Sequence, residues 1–178
     1  CFAAGTSGMG IVRQVFEELK VQGLSEEEAR SRFYLVDQQG LLFEDTEGMT
    51  FQQKPYARKR SEFPAGAKLD NLEDVVKAIH PTILVGASTA AGAFTKEIVQ
   101  EMAAHTPRPI IFPLSNPADL AEASADDLLH WTDGKALVAT GTASRKVVYH
   151  GTNFEIGQAN NSLVFPGMGL AVAACRAR

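Results

Sequence analysis

A glycine-rich turn near the start of the chain, Ala3-Ala4-Gly5-Thr6-Ser7-Gly8-Met9-Gly10, has the residue types that bind phosphate through the backbone. It matches the pattern G-x-G-x-x-G, except that alanine stands at the first position. Gly5 would let the backbone approach a pyrophosphate, and Gly8 would let the next helix lie close to the strand before it. The free N–H groups at the start of that helix would then hold the phosphates. Ala3 is a departure because the first glycine serves the tight turn.

Asp37 follows the second apolar run, about 30 residues after this turn, where ~20 is usual in a compact unit. A carboxylate there would accept hydrogen bonds from an adenosine ribose and would repel a 2′-phosphate. The alternative is an ordinary turn-forming aspartate before Gln38-Gln39-Gly40. The glycine turn upstream favours the ribose, and the negative charge favours NAD over NADP.

Two asparagine motifs could hold a carboxylate or carbonyl substrate without adding charge: Ser115-Asn116-Pro117 and Asn160-Asn161. Asparagine is also a common turn former, and the residues alone leave these two interpretations open. The four histidines share no ligand spacing and are expected at helix ends, and Arg58-Lys59-Arg60 is expected to be a solvated surface stretch. No H-E-x-x-H, P-loop lysine or G-x-S-x-G is present, which argues against metalloprotease, kinase-like and serine hydrolase chemistry.

The elements that must position these residues alternate between strands and helices. Five short apolar runs without alternation are typical of strands covered on both faces: Cys1–Ala4, Phe33–Val36, Ile83–Val85, Ile110–Leu114 and Leu137–Thr140. Amphipathic helices are predicted between them, with a stop at Gly23, a Ser25/Glu28 capping box, and caps at Thr95 and Ser124. The segment Val147–Ile156 is predicted to be an irregular hairpin.

This order predicts an α/β fold with a doubly wound parallel sheet, a Rossmann-like dinucleotide-binding domain. Ligands of such sheets bind at the carboxyl ends of the strands. The residues there are small or polar, as a nucleotide cleft requires: Gly5–Gly8, Asp37, Gly86–Thr89, Ser115–Asn116 and Thr140–Thr142.

Length and composition fit one globular domain, since the chain has 178 residues, 45% of them hydrophobic and 21% charged. No apolar run reaches the ~18 residues that a membrane-spanning helix needs, so no membrane partner is expected. The net charge of −4 argues against a nucleic-acid partner. Two cysteines, Cys1 and Cys175, form no motif, so a reducing cytoplasm is expected. The chain opens as if inside a strand, and we therefore expect a fragment of a longer protein.

Several of these motifs together resemble the malic enzymes, and within them most of all the bacterial malolactic enzymes. The pieces that carry the resemblance span nearly the whole chain: Ala4–Ile11, Val36–Leu42, Lys54–Arg60, His80–Gly86, Arg108–Pro117, Trp131–Gly141 and Gly157–Asn161. The Ser-Asn-Pro and Gly-Gln-x-Asn-Asn pieces are specific to the family, and Ala3 is the clear departure from it.

The resemblance implies a protein that binds NAD, Mn²⁺ or Mg²⁺, and L-malate. Malic enzymes oxidise malate by hydride transfer to the nicotinamide, then release CO₂ and pyruvate. Malolactic enzymes release lactate with no net change in the cofactor. The implied positions, in chain order, are Gly5, Thr6, Ser7 and Gly8 at the pyrophosphate, Asp37 at the adenosine ribose, Ala87, Ser88 and Thr89 along the cofactor cleft, Asn116 at substrate and cofactor, Asn160 at the nicotinamide ribose, and Asn161 at the substrate. NADP-dependent members carry a lysine near Gln53, and Lys54 sits beside it.

The resemblance also implies what lies outside the chain. The family's catalytic tyrosine and lysine and its carboxylate metal ligands precede the glycine turn, and further helices follow Arg178. We therefore expect residues 1–178 to be one NAD-binding domain with a truncated first strand, inactive alone, from a longer protein that forms a homo-oligomer. The main hypothesis is a malic enzyme, and the first alternative is a malolactic enzyme. A non-catalytic NAD-binding module and another NAD-linked dehydrogenase also stay open, because a fold does not fix a function.

Overall fold

The computed structural model describes residues 1–160, 163 and 165–176 of the chain. The fold is built on a four-stranded parallel sheet. The strands lie in the order β3 (Ile83–Gly86), β4 (Ile110–Pro113), β5 (Leu137–Thr140) and β8 (Gly157–Gln158). Register pairs Ile83 with Ile110 and Ile110 with Leu137. The predicted α/β architecture with a parallel sheet is confirmed.

The first two predicted strands join this sheet more loosely than expected. Phe2 alone forms parallel bridges, to Val36 on one side and to Gly86 on the other, in place of a strand over Cys1–Ala4. The second strand is β1 (Val36–Asp37), shorter and later than Phe33–Val36, and it pairs antiparallel with β2 (Gly40–Leu41). The tight turn after Asp37 reverses the chain, which ends the parallel run early.

Helices separate the strands β1, β3, β4 and β5 along the chain, and α6 follows β8. Their bounds are α1 (Thr6–Val21), α2 (Glu26–Arg30), α3 (Leu72–Ile79), α4 (Lys96–His105), α5 (Ala125–Trp131) and α6 (Phe165–Cys175). Local signals set their ends as predicted: Ser25 and Glu28 form a capping box, and Thr95 and Ser124 cap α4 and α5 through their side chains. Gly23, at φ 98°, follows the end of α1.

Two buried apolar clusters show that both faces of the sheet are covered. One contains Leu35 with residues of α1 and α2, and the other contains the adjacent Val36 with residues of α3, α4 and α5. Because neighbouring residues of an extended chain point to opposite faces, the clusters lie on opposite sides. None of the helices in the described ranges is long and apolar enough to span a membrane.

The predicted hairpin is present as β6 (Val147–Tyr149) and β7 (Thr152–Phe154), which pair antiparallel. Directly after it, β8 adds a parallel strand beside β5, pairing Ala139 with Gly157. The sequence analysis did not predict β8, because two residues are too few to show a pattern.

Candidate nucleotide cleft

The glycine turn lies where the carboxyl ends of the parallel strands meet. Gly5 precedes α1 in an extended conformation and offers no side chain to cap it, and the first turn of α1 contains no acidic residue. Gly5, Thr6 and Ser7 are exposed, whereas Gly8 is buried. The free N–H groups of α1 therefore open toward solvent, where an anion would be attracted by their partial positive charge.

Gly8 has the close-packing role that its position in the turn predicts. A Cβ atom on Gly8 would stand 2.6 Å from the carbonyl oxygen of Ala3. A Cβ on Gly5 would meet nothing within 4 Å, so the space over the turn is open. One glycine thus lets α1 approach the first strand, and the other leaves room above the helix N-terminus.

Ala3 departs from the glycine pattern at a position where glycine would be unstrained. Its φ is 60°, in the left-handed region that residues with a Cβ rarely adopt. Its N–H still donates to Val36 O at 2.8 Å, which ties the turn to the neighbouring strand. The turn is therefore formed at the expense of local backbone strain.

Asp37 stands at the corner of the β1–β2 turn and faces a cleft. One carboxylate oxygen accepts from the N–H of Gln38 at 2.9 Å, and the other accepts from the side-chain amide of Gln53 at 3.4 Å. The same Gln53 amide donates to Ala4 O at 2.9 Å. Gln53 thus links Asp37 to the glycine turn, whereas Lys54 is exposed. The aspartate is a turn residue, and Gln53 also places it beside the glycine turn.

The cleft beside Asp37 has a volume of about 250 Å³, and its lining is mostly polar: Asp37, Gln38, Gln39, Leu42, Thr46, Glu47, Gly48, Met49 and Gln53. Such a polar, open groove suits a hydroxyl-bearing group better than an apolar one.

Glu122 joins the loops that follow β3 and β4, a feature that the sequence analysis missed. Its side chain is fully buried. One oxygen accepts from Ser88 N at 2.8 Å, from Ser88 Oγ at 2.7 Å and from Ser115 Oγ at 2.6 Å. The other accepts from Ser115 N at 3.3 Å. An acidic residue between Ala121 and Ala123, in an apolar stretch before a capped helix, was the only available signal.

These bonds hold the loop Ala87–Thr89 against the loop that follows β4. Thr89 has a φ of 55°, and its N–H donates to Ser115 Oγ at 2.8 Å. Ala87 N donates to Phe2 O at 3.2 Å, so the loop is also tied to the first strand. The structure thus brings Ala87, Ser88 and Thr89 next to the segment that leads into the glycine turn.

Two of the three predicted asparagines meet at Gly141. Asn160 donates through its side-chain amide to Gly141 O at 2.7 Å. A Cβ on Gly141 would lie 3.0 Å from the amide nitrogen of Asn116, whose peptide bond to Pro117 is cis. Asn116 is exposed. Asn161 lies outside the described residues.

Arg58 departs from its predicted setting, whereas His80, His105 and His130 lie at helix ends as expected and His150 lies in the turn between β6 and β7. Arg58 is not solvated, because its side chain is 13% exposed, pairs with Glu62 and lies over the Tyr34 ring. His80 and His105, although 25 positions apart in the sequence, stack with ring centroids 3.6 Å apart. With Glu101, these two histidines form the one group of three potential metal-ligating side chains among the described residues. This group does not lie at the cleft.

Comparison with known proteins identifies the family to which this chain belongs. The family model described as "Malic enzyme, NAD binding domain" matches residues 1–178. The chain belongs to this family. It is 59% identical over 177 residues to the malolactic enzyme of Lactiplantibacillus plantarum, and 59% identical over 177 residues to that of Leuconostoc mesenteroides. It is 49% identical over 183 residues to NAD-dependent malic enzyme 3 of Bacillus subtilis.

Each of these alignments covers 99% of this chain and 32% or 33% of the relative. The chain thus spans about a third of the length of the curated relatives that it matches. The resemblance drawn from the glycine turn, Val36–Leu42 and the Ser-Asn-Pro and Gly-Gln-x-Asn-Asn motifs is confirmed at the level of the malic enzyme NAD-binding domain.

Proposed function

We propose that the chain supplies the NAD-binding part of an enzyme that oxidises and decarboxylates L-malate. The observation that carries the proposal is the uncapped N-terminus of α1, which opens at the glycine turn and is linked through Gln53 to Asp37. Membership of the malic enzyme NAD-binding domain family supports it independently.

In this proposal the pyrophosphate of NAD binds at Gly5, Thr6, Ser7 and Gly8. The N–H groups of the first turn of α1 donate to its oxygens, and the helix dipole favours the negative charge. Asp37 accepts hydrogen bonds from the adenosine ribose hydroxyls, and its charge would repel the 2′-phosphate of NADP. Ala87, Ser88 and Thr89 form the adjacent wall of the cleft.

The substrate end lies at the asparagines. Asn116 would donate to malate and border the cofactor, and Asn160, held by Gly141, would lie at the nicotinamide ribose. Asn161 would donate to a malate carboxylate. Neutral amides suit this role because they orient a dianionic substrate without neutralising it.

The first candidate reaction converts L-malate and NAD to pyruvate, CO₂ and NADH. It needs a base for the hydroxyl proton and a proton donor for the enolate, and Mn²⁺ or Mg²⁺ would polarise the substrate oxygens. No carboxylate cluster in the described part of the chain fits that metal at the cleft. We propose that the base, the proton donor and the metal ligands belong to parts of the longer protein that this chain, about a third of its relatives' length, does not include, and we expect the chain alone to be inactive.

The second candidate reaction is malolactic, with L-lactate and CO₂ as products and NAD retained. Relatives of both kinds support the two candidates, since two malolactic enzymes are 59% identical to this chain, a third is 50% identical and the Bacillus subtilis malic enzyme is 49% identical. The full-length protein, supplied with malate, NAD and Mn²⁺, decides between them. Stoichiometric NADH and pyruvate support the first candidate, and lactate without NADH supports the second. If neither pyruvate nor lactate is formed, the proposal is contradicted.

The cofactor role of Asp37 is tested by Asp37→Ser with a basic neighbour, Gln38→Arg. We expect the preference for NAD over NADP in competitive titrations to fall, because the repulsive charge is lost. Asp45→Ser is the matched control, since it removes an exposed acidic charge that Arg60 pairs with at 2.8 Å. Unchanged discrimination in the Asp37 variant would remove Asp37 from this role.

The substrate role of Asn161 is tested by Asn161→Ala in the full-length protein. We expect kcat/KM for malate to fall by ~10- to 1000-fold if its hydrogen bonds act in the transition state, with little change in NAD affinity. Normal kinetics would contradict the assignment.

We also propose that the full-length protein is a cytoplasmic homo-oligomer, which cell fractionation and light scattering would test.

A further inference from the structure

A second cluster of chemistry-bearing side chains lies away from the nucleotide cleft. His80 follows the end of α3, and Glu101 and His105 lie one turn apart on α4. Both helices end here just before the strands β3 and β4 begin, so the cluster sits at the amino ends of the strands. The cleft lies at their carboxyl ends, on the opposite edge of the sheet.

The three side chains are spaced as ligands of one ion are spaced. His80 Nε2 lies 3.1 Å from Glu101 Oε1, and His105 Nδ1 lies 3.3 Å from the same oxygen. All three ligand atoms lie within 4.8 Å of one another. Ligands of a tetrahedral zinc ion, at ~2.0–2.1 Å from the metal, are roughly 3.3 Å apart.

We propose that His80, Glu101 and His105 form a surface site for a divalent transition ion such as Zn²⁺. Two imidazoles and one carboxylate favour Zn²⁺, Ni²⁺ or Cu²⁺ over Mg²⁺ and Mn²⁺, which prefer oxygen ligands. The side chains are 28% to 43% exposed, which leaves the fourth position open to water.

Binding requires a small rearrangement that the exposed side chains allow. The rings are stacked at an interplanar angle of 14°, so their nitrogen lone pairs lie in two nearly parallel planes. A common ion needs the rings to turn apart and His105 Nδ1 to leave Glu101 O, which it contacts at 3.0 Å. The nearby ammonium group of Lys77 donates to Glu73 Oε1 at 2.6 Å, so it leaves the Glu101 carboxylate available to an ion.

The chain contains its own control for this site. On α5, His130 Nδ1 lies 3.4 Å from Asp126 Oδ2 at the same four-residue spacing, and both are exposed. In the described ranges this pair has no third ligand. His130→Ala therefore removes an exposed histidine with an acidic partner and leaves the proposed site intact.

The experiment is a titration of the chelator-treated full-length protein with ZnCl₂, followed by calorimetry and by metal analysis after dialysis. We expect His80→Ala and His105→Ala each to lose one Zn²⁺ per chain relative to wild type and to His130→Ala. Loss of an outer-shell partner already lowers metal affinity roughly 10- to 100-fold, so loss of a ligand should weaken this site by at least ~100-fold. Any zinc bound at another site persists in every variant and cancels in the comparison.

Co²⁺ gives a second readout, since its visible absorption reports imidazole ligation. The wild-type protein and His130→Ala should show this band, and His105→Ala should lack it. If His80→Ala fails to fold, Glu101→Gln takes its place as the variant that removes a ligand, because Glu101 lies on the surface of α4. Equal zinc stoichiometry and affinity in wild type, His105→Ala and Glu101→Gln would overturn the proposal and leave a stacked histidine pair with an ion pair only.

Discussion

Glu122 is expected to hold the two loops of the cleft together by accepting hydrogen bonds, and a pair of substitutions isolates that function. Glu122→Met and Glu122→Gln have similar size, and both remove the buried charge together with its desolvation penalty. They differ in that the amide keeps a carbonyl oxygen. The difference between the two variants therefore measures the acceptor.

The magnitude follows from the donors that each variant leaves without a partner. In Glu122→Met the backbone N–H groups of Ser88 and Ser115 both lose their acceptor, as do the Ser88 and Ser115 hydroxyls. In Glu122→Gln the carbonyl oxygen still serves Ser88, and the amide nitrogen opposes Ser115 N–H. An unsatisfied buried donor costs ~1–3 kcal/mol, so Glu122→Met should be less stable than Glu122→Gln by about 2–4 kcal/mol.

Urea denaturation of the full-length protein gives the free energies of unfolding, and NAD titration reports whether the loops keep their positions. The matched control is the same pair at Glu155, whose side chain is 81% exposed. Exposed substitutions of this kind change stability by less than ~0.5 kcal/mol. If the Met and Gln variants of Glu122 differ by no more than those of Glu155, the reasoning is wrong. We also expect weaker NAD binding in Glu122→Met than in Glu122→Gln.

Three further predictions concern backbone positions. Gly8→Ala should lower both the free energy of unfolding and the NAD affinity, because its Cβ would stand 2.6 Å from Ala3 O. Gly10→Ala, whose Cβ meets nothing within 4 Å, should raise the free energy of unfolding by ~0.5–1 kcal/mol through its place in α1. Equal effects of the two substitutions in calorimetric melts would contradict this. Ala3→Gly should raise stability by up to ~1 kcal/mol through relief of left-handed strain, partly offset by unfolded-state entropy, and a lower Tm would refute it. Gly141→Ala should weaken malate binding in steady-state kinetics, because its Cβ would collide with Leu114 O; an unchanged KM would count against that contact.

Features encoded by neighbouring residues could be predicted well. The side-chain caps at Ser25, Thr95 and Ser124 depend on hydrogen bonds to residues three positions away, so a short window contains the whole interaction. The three central strands β3, β4 and β5 were found for a related reason, since burial on both faces leaves an unbroken apolar run.

Features made by residues far apart in the chain could not be predicted. Glu122 has no local pattern that marks it as an acceptor for Ser88, 34 residues away. Phe2 forms single bridges to Val36 and Gly86, which lie 34 or more residues away in the chain. The strand β8 exists only because β5 offers it an edge.

The sequence by itself determined the alternation of the strands β3, β4 and β5 with helices, the glycine turn and the presence of Asp37 at a strand end, because short-range sterics and hydrogen bonds encode them. Only the tertiary structure decided which distant groups meet: the side chains of Gln53 and Asp37, the Asn160 amide and the Gly141 carbonyl, and the rings of His80 and His105. The physical reason is that these contacts depend on how the sheet and its helices pack, and the same local sequences allow many relative placements.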